Sequence, residues 1–150
     1  MEFFQSWWTF LVTRGELIQE ALWEHTVYVI TVLSVASIFA VAVGILTRRS
    51  VVARELSLAV ASVFLTIPSL ALFTIFIPLV GLGFAPSFIA LFLYSLLPIM
   101  RNTISGLESI DNSVVESAKG MGLTTRQVLF RIQLPLAWPI ILAGIRVSSM

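Results

Sequence analysis

Few residues of this chain are equipped for chemistry, and the informative ones crowd between positions 113 and 135. There is no cysteine, which removes disulfides, thiolate metal sites, iron–sulfur clusters and cysteine nucleophiles. The single histidine, His25, leaves no multi-histidine metal site. Beside Trp23 it reads as an interfacial residue rather than a proton relay. No G-x-x-x-x-G-K-S/T run occurs, so no phosphate cradle of that kind is present in the sequence. A net charge of +1 offers no basic field for nucleic acid.

The 113–135 segment is heavily punctuated. Ser113-Val114-Val115-Glu116 has the spacing of a capping box and predicts a helix starting at about 113. Gly120 and Gly122 follow about two turns later, where a left-handed residue ends a helix. Thr124-Thr125-Arg126-Gln127 is a second capping box, opening a helix with Val128, Leu129 and Ile132 on one face. Pro135 is expected to close it. The reading is a short helix, a glycine hinge and a second short helix. A passive linker needs no such punctuation.

The elements that position this segment belong to a membrane. Of 150 residues, 58% are hydrophobic and only 11% charged, and the mean hydropathy is +1.00. A soluble domain carries about 25% charged residues, and disorder needs low hydrophobicity with high charge. The fold class is therefore all-α, a polytopic integral membrane protein built as a helical bundle. Residues 27–46 lack any charge and match the roughly 30 Å of a hydrocarbon core. Their Val, Ile, Leu and Phe side chains favour insertion by about 4–7 kcal/mol. Ala36, Ala40 and Gly44 recur every fourth residue, a small-residue stripe suited to close helix packing.

Residues 56–100 again carry no charge, too long for one span and right for two. A turn is expected at Gly81-Leu82-Gly83-Phe84-Ala85-Pro86, giving spans of about 56–79 and 86–100. Residues 136–150 turn apolar once more, but fifteen residues rise only about 22 Å as a helix. They are read as a fourth span cut off part-way, and the chain as a fragment or truncated product.

Orientation comes from the bases. Arg48, Arg49 and Arg54 lie in one loop, and Arg101, Lys119, Arg126 and Arg131 in the 101–135 loop. Two spans separate these loops, so both fall on one side, which the positive-inside rule makes cytoplasmic. The N-terminus is then outside. The chain opens without a basic n-region, its first base being Arg14, so no cleavable signal is expected and the first span is read as a signal anchor. Residues 1–25 are expected to form an amphipathic interfacial helix. Phe3, Phe4, Trp7, Trp8 and Leu11 follow helical spacing, and Glu16, Glu20 and Glu24 form an acidic stripe.

Glu116-Ser117-Ala118, three residues, Gly122, nine residues, then Ile132-Gln133-Leu134-Pro135 resembles the EAA loop of ABC importer permeases. The family pattern is E-A-A, three, G, nine, I-x-L-P, and the single departure is Ser117 in place of alanine. Thr66-Ile67-Pro68-Ser69-Leu70-Ala71, Ile77-Pro78-Leu79 with Gly81-Leu82-Gly83, and Leu97-Pro98-Ile99-Met100-Arg101-Asn102-Thr103 are similar to the permeases that import glycine betaine, choline or carnitine.

The resemblance covers about residues 25–150. It implies an inner-membrane transport subunit, not an enzyme, whose loop (Glu116, Ser117, Ala118, Gly120, Gly122, Ile132, Leu134, Pro135) sits in a groove of a separate cytoplasmic ABC ATPase. ATP and Mg would be bound by that ATPase, with no cofactor and no metal in this chain. A second permease subunit and an external solute-binding protein complete the implied assembly, with lipid around it and no nucleic acid.

Three further features sit within the spans. Pro68 removes a helical hydrogen bond and is expected to free the carbonyl of Phe64. The hydroxyls of Thr66 and Ser69 lie near enough to satisfy it or to face a transport pathway, and a packed kink is the alternative. Arg146 falls inside the partial fourth span, with no acid in the first three spans to pair with it. Such a charge marks a functional site by default. It faces a permease dimer interface or snorkels to the cytoplasmic surface, and a structural reading is preferred to a functional one. Rivals to the osmoprotectant importer are a permease for an amino acid or sulfonate, an inactive membrane fragment, and a secondary transporter. The last would want ionisable residues at membrane depth, which spans one to three lack.

Overall fold

A computed structural model describes residues 2–150, and the side chain of Phe3, counted above on the N-terminal apolar face, lies outside that description. The described residues are helical, with short turns and no strand. The order is α1 (Glu2–Thr13), α2 (Gly15–Thr47), α3 (Val51–Thr66), α4 (Ser69–Val80), α5 (Phe84–Glu108), α6 (Asn112–Gly120) and α7 (Thr125–Ser148). Of these, α2, α5 and α7 are each long and apolar enough to cross a membrane, and α3 with α4 forms a bent pair that is a broken span or a re-entrant loop.

The chain divides at residues 32 and 33 into two compact units. In the first, α1 exposes Phe4, Trp7, Trp8, Phe10 and Leu11. The acidic stripe of Glu16, Glu20 and Glu24 was expected on a surface helix ending before the first span. It lies instead on α2, the same helix as residues 27–46. No glycine, proline or cap separates the two stretches, so the ladder runs through.

The second unit is built round α5. Ala36 and Ala40 of α2 and Ala61 of α3 are buried against Leu96, Ile99, Met100 and Ile104 of α5. A Cβ added at Gly44 would stand 2.9 Å from Thr103 Cγ2, so the small-residue stripe does bring α2 onto α5. The other flank of α5 packs on α7 by the same device. Gly106 lies under Ala137, and Gly144 lies against Pro98 and Asn102. Buried Leu107, Ala137 and Ile141 fill the space between.

Four expectations about the spans and prolines need correction. The stretch read as one span over 56–79 is broken, with α3 and α4 meeting at 96°. Proline cannot continue a ladder, and Pro68 stands just ahead of α4 with ψ 137°. The carbonyl of Phe64 is not freed, because the Ile67 N–H donates to it at 3.3 Å. The orphan is the carbonyl of Ile67, which accepts from the hydroxyl of Tyr94 on α5. Thr66 donates to the carbonyl of Val63 at 2.7 Å. The turn before α5 does need its glycines, with Gly81 at φ 81° and Gly83 at φ 122°.

The partial fourth span 136–150 is likewise not a separate element. It belongs to α7, 24 residues long, which begins at Thr125 and so includes the second loop helix. Pro135 does not close that helix. Residues Leu129–Gln133 form a π turn, in which the Leu134 N–H reaches the carbonyl of Leu129. Proline in a regular helix presses on the carbonyl four residues back, and the widened turn lets the helix pass.

Candidate functional site: a capped lever between spans

The loop between α5 and α7 is short and almost fully hydrogen-bonded at its ends. Helix α6 opens on Asp111, whose Oδ1 accepts from the Ser113 N–H at 2.8 Å. This corrects the expected capping box at Ser113 and Glu116. Aspartate is at least as strong an N-cap as serine, and the chain uses the one that stands two residues earlier. Glu116 is thereby released from capping and stands exposed on the helix.

The other end of α6 closes through Gly122 at φ 85°. The Leu123 N–H donates to the carbonyl of Ala118 at 3.2 Å and the Gly122 N–H to that of Lys119 at 2.9 Å. This pair of bonds is the Schellman motif, and it needs a residue tolerant of positive φ. Gly120 is helical and meets nothing within 4 Å of an added Cβ. Two residues after Gly122 the expected second capping box is present. Thr124 Oγ1 accepts from the Gln127 N–H at 3.4 Å, and Gln127 Oε1 accepts from the Thr124 N–H at 2.7 Å.

The residues singled out from sequence fall into three sets. Glu116, Ser117, Gly120 and Gly122 are exposed, joined by Met121 at 71% exposure. Ala118 is buried at 1% and seats α6 on the rest of the unit. Ile132 and Leu134 are half-buried, Pro135 is exposed, and Leu134 packs against Leu107, Ala137 and Ile141. The loop residues thus share one continuous path from α6 into α7. Thr66, Pro68 and Ser69 stand exposed at the α3–α4 break. Arg146 is exposed in the last turn of α7.

Two long-range links were not legible from spacing. Arg48, just past the end of α2, donates through Nη1 to Gln133 Oε1 at 2.8 Å. Arg54 of α3 pairs with Glu108, the last residue of α5. Together they tie α2 to α7 and α3 to α5 around the loop. A cavity of about 280 Å³ lies beneath α6, lined by Arg48, Leu107, Glu108, Val115, Lys119 and Gln133 among others. Burial there lowers the pKa of Arg48 from its ordinary value, and the neighbouring Arg49 adds to the effect. Nothing in this arrangement activates a nucleophile or collects metal ligands, and no group of three or more His, Cys, Asp or Glu able to hold a metal occurs among the described residues. It joins α6 through a four-residue turn to α7, which is packed along α5.

Residues 33–150 match the family described as "Binding-protein-dependent transport system inner membrane component". The chain belongs to that family. It is a multi-pass membrane protein and a transport component. It is 37% identical to the carnitine transport permease protein OpuCB of Listeria monocytogenes over 142 residues, 95% of this chain and 65% of the relative. It is 36% identical to the choline transport system permease protein OpuBB of Bacillus subtilis, over 94% of this chain and 65% of that protein. The osmoprotectant import permease protein OsmY of Salmonella typhimurium is 39% identical over 83% of this chain and 54% of its own length. The chain thus spans just under two thirds of the length of the first two and about half of the third.

Proposed function

We propose that this chain is the permease subunit, or the larger part of one, of an ATP-driven importer for quaternary-ammonium osmoprotectants such as glycine betaine, choline or carnitine. Support for the solute class comes from the names of its relatives, which specify carnitine, choline and osmoprotectant import. Support for the mechanism comes from one observation above all. Helix α6 is capped at both ends, turns outward Glu116, Ser117 and Met121, and is followed after four residues by a helix that runs on into the spans.

Mechanically, α6 docks in a groove of a separate cytoplasmic ATPase that binds ATP and Mg. Closure of that ATPase moves α6, and the capping bonds keep the helix from fraying under load. The displacement reaches α7 through Gly122 and Thr124, then α5 through the glycine contacts at Gly106 and Gly144. A second membrane subunit completes the pathway, and an external binding protein delivers the solute. The loop end of the spans is cytoplasmic and the N-terminus external, in keeping with the arginines at residues 48, 49 and 54 and the bases of the loop. Thr66, Pro68 and Ser69 face the pathway where the broken helix leaves polar groups, which backbone at membrane depth needs a shielded or water-lined place to do. Arg146 snorkels to a membrane surface rather than acting in transport.

The test is capture of the ATPase. Co-expressed with its ATPase and purified in detergent, the wild-type chain is expected to retain it, and Gly122→Asp to lose it. Equal retention by both would remove α6 from the docking site. Exchange of candidate binding proteins in reconstituted vesicles separates quaternary-ammonium uptake from import of an amino acid or sulfonate.

A further inference from the structure

The outer face of α2 and the first half of α7 do not close on each other. They leave a groove of about 530 Å³, walled by Ile38, Val41, Leu46, Phe130, Leu134 and Trp138 among others. At its loop end the groove runs into a second cavity of about 430 Å³, with which it shares Ile45 and Leu46. That second cavity is lined by Arg48, Arg49 and Arg126, and no carboxylate lines it. The recorded ion pairs among the described residues join Arg54 to Glu55 and to Glu108, so none of these three guanidiniums is in one. Arg48 spends one donor on the neutral amide of Gln133.

The two cavities are stacked along antiparallel helices. Arg126 precedes Trp138 by twelve residues, about 18 Å of helical rise. That is the length of one extended fatty acyl chain. An apolar channel of this length at membrane depth, ending in three bases at the loop surface, is complementary to one kind of molecule, and basic pockets between spans are where anionic headgroups dock.

We infer that this groove holds an anionic phospholipid, with an acyl chain along α2 and α7 and its phosphate among Arg48, Arg49 and Arg126. The guanidiniums then gain a counter-charge in a cavity that no carboxylate lines, and planar forked donors match phosphate oxygens well. A phosphate beside Arg48 favours its charged form and so opposes the lowering that burial and Arg49 cause. Because Arg48 also bonds Gln133 and Arg126 stands in the first turn of α7, the lipid would brace the π turn from outside. This inference rests on the membrane location and not on the transported solute.

The full chain, together with any subunits it retains, is placed in nanodiscs of equal phosphatidylglycerol and phosphatidylcholine. It is then released gently, and its bound lipids are counted by native mass spectrometry. Wild type is expected to keep phosphatidylglycerol about fivefold or more over phosphatidylcholine, and inorganic phosphate should not displace it. Arg49→Gln with Arg126→Gln should erase the preference, and Ala42→Trp, which fills the groove wall, should lower retention of both lipids. Arg131→Gln, exposed and outside the groove, should change nothing. Equal retention of the two lipids by wild type overturns the site. So does a preference that survives the double substitution, or one lost equally in Arg131→Gln. Absence of lipid, with the groove protected by another subunit, would make the occupant a protein.

Discussion

Arg48 Nη1 donates to Gln133 Oε1 at 2.8 Å, a bond between residues 85 apart in sequence that joins the end of α2 to the π turn of α7. It is a charge-assisted bond at a half-buried place, worth about 1.5–3 kcal/mol if its loss leaves the guanidinium without a partner. Gln133→Leu is expected to destabilise the chain by about that amount. Gln133→Glu, which turns the bond into an ion pair, should match or exceed wild type. Thermal unfolding in detergent, followed by tryptophan fluorescence, measures both. If the leucine and glutamate variants melt alike, the bond does not hold the two helices.

Glycine content divides the helices into contacts and free surface. A methyl group at Gly144 would stand 2.7 Å from Asn102 Cβ and 2.9 Å from the carbonyl of Pro98, the second of which is backbone and cannot move aside cheaply. Gly144→Ala should therefore destabilise by about 1–3 kcal/mol through separation of α5 from α7. Gly120 has nothing within 4 Å and helical backbone. Gly120→Ala should stabilise by about 0.4–1 kcal/mol, because alanine limits the unfolded chain without touching the folded one. A pair of melting curves with the same sign for both substitutions would contradict this reading of the packing.

Much of this was legible in the residues. Charge-free stretches marked helices long and apolar enough to cross a membrane, the Ala36, Ala40, Gly44 stripe marked a closely packing face of α2, and Thr124 with Gln127 gave a capping box that the structure contains. Local chemistry was readable because both partners lie within one turn. What failed had competing local solutions. Asp111 and Ser113 were both competent N-caps, and spacing alone did not rank them. Pro68 and Pro135 carry the same chemical defect, yet one breaks a span at 96° and the other passes through a π turn. Neighbours distant in sequence meet each site, Tyr94 at the first and Leu107, against which Leu129 and Leu134 pack, at the second. Arg48 with Gln133 and Arg54 with Glu108 are of the same kind, pairs with no periodicity to announce them.

Tyr94 is the clearest case of such a distant neighbour. Its hydroxyl donates to the Ile67 carbonyl that the α3–α4 break leaves without a helical partner. Tyr94→Phe keeps the ring and removes only the donor, so an unsatisfied carbonyl should cost about 1–3 kcal/mol. The loss should be local. Amide exchange is expected to rise in residues 66–72 and to stay unchanged in α7. Uniform protection across the break in the phenylalanine variant would show that the hydroxyl does not secure it.

Gly122 carries the left-handed turn that ends α6, at φ 85° with nothing within 4 Å of an added Cβ. Gly122→Ala therefore meets a conformational penalty and no clash, about 1–2 kcal/mol, whereas Gly122→Asn, tolerant of that region, should cost less. Because the penalty falls on the Schellman bonds, the alanine variant should fray α6 from its C-terminal end. Exchange at Gly122 and Leu123 should quicken first. A larger loss in the asparagine variant than in the alanine variant would mean that bulk, not backbone conformation, governs the position.

The N-terminal end of α6 gives that helix a pH dependence. The Ser113 backbone N–H holds the Asp111 carboxyl below its ordinary pKa, with the Ser113 side chain adding to this and a small opposing effect from burial. A carboxylate whose folded pKa is depressed stabilises the fold above its unfolded pKa, and that contribution is lost as pH falls through the folded value. The stabilisation is therefore complete at neutral pH and disappears only in acid, below the usual aspartate range. Asp111→Asn keeps an acceptor and a strong N-cap without a titrating group. It should leave amide protection in α6 near wild type at neutral pH and abolish the acid-induced loss at Ser113 and Val114. Wild-type protection that falls on the alkaline side, or an acid loss retained in the asparagine variant, would place the titration on another group.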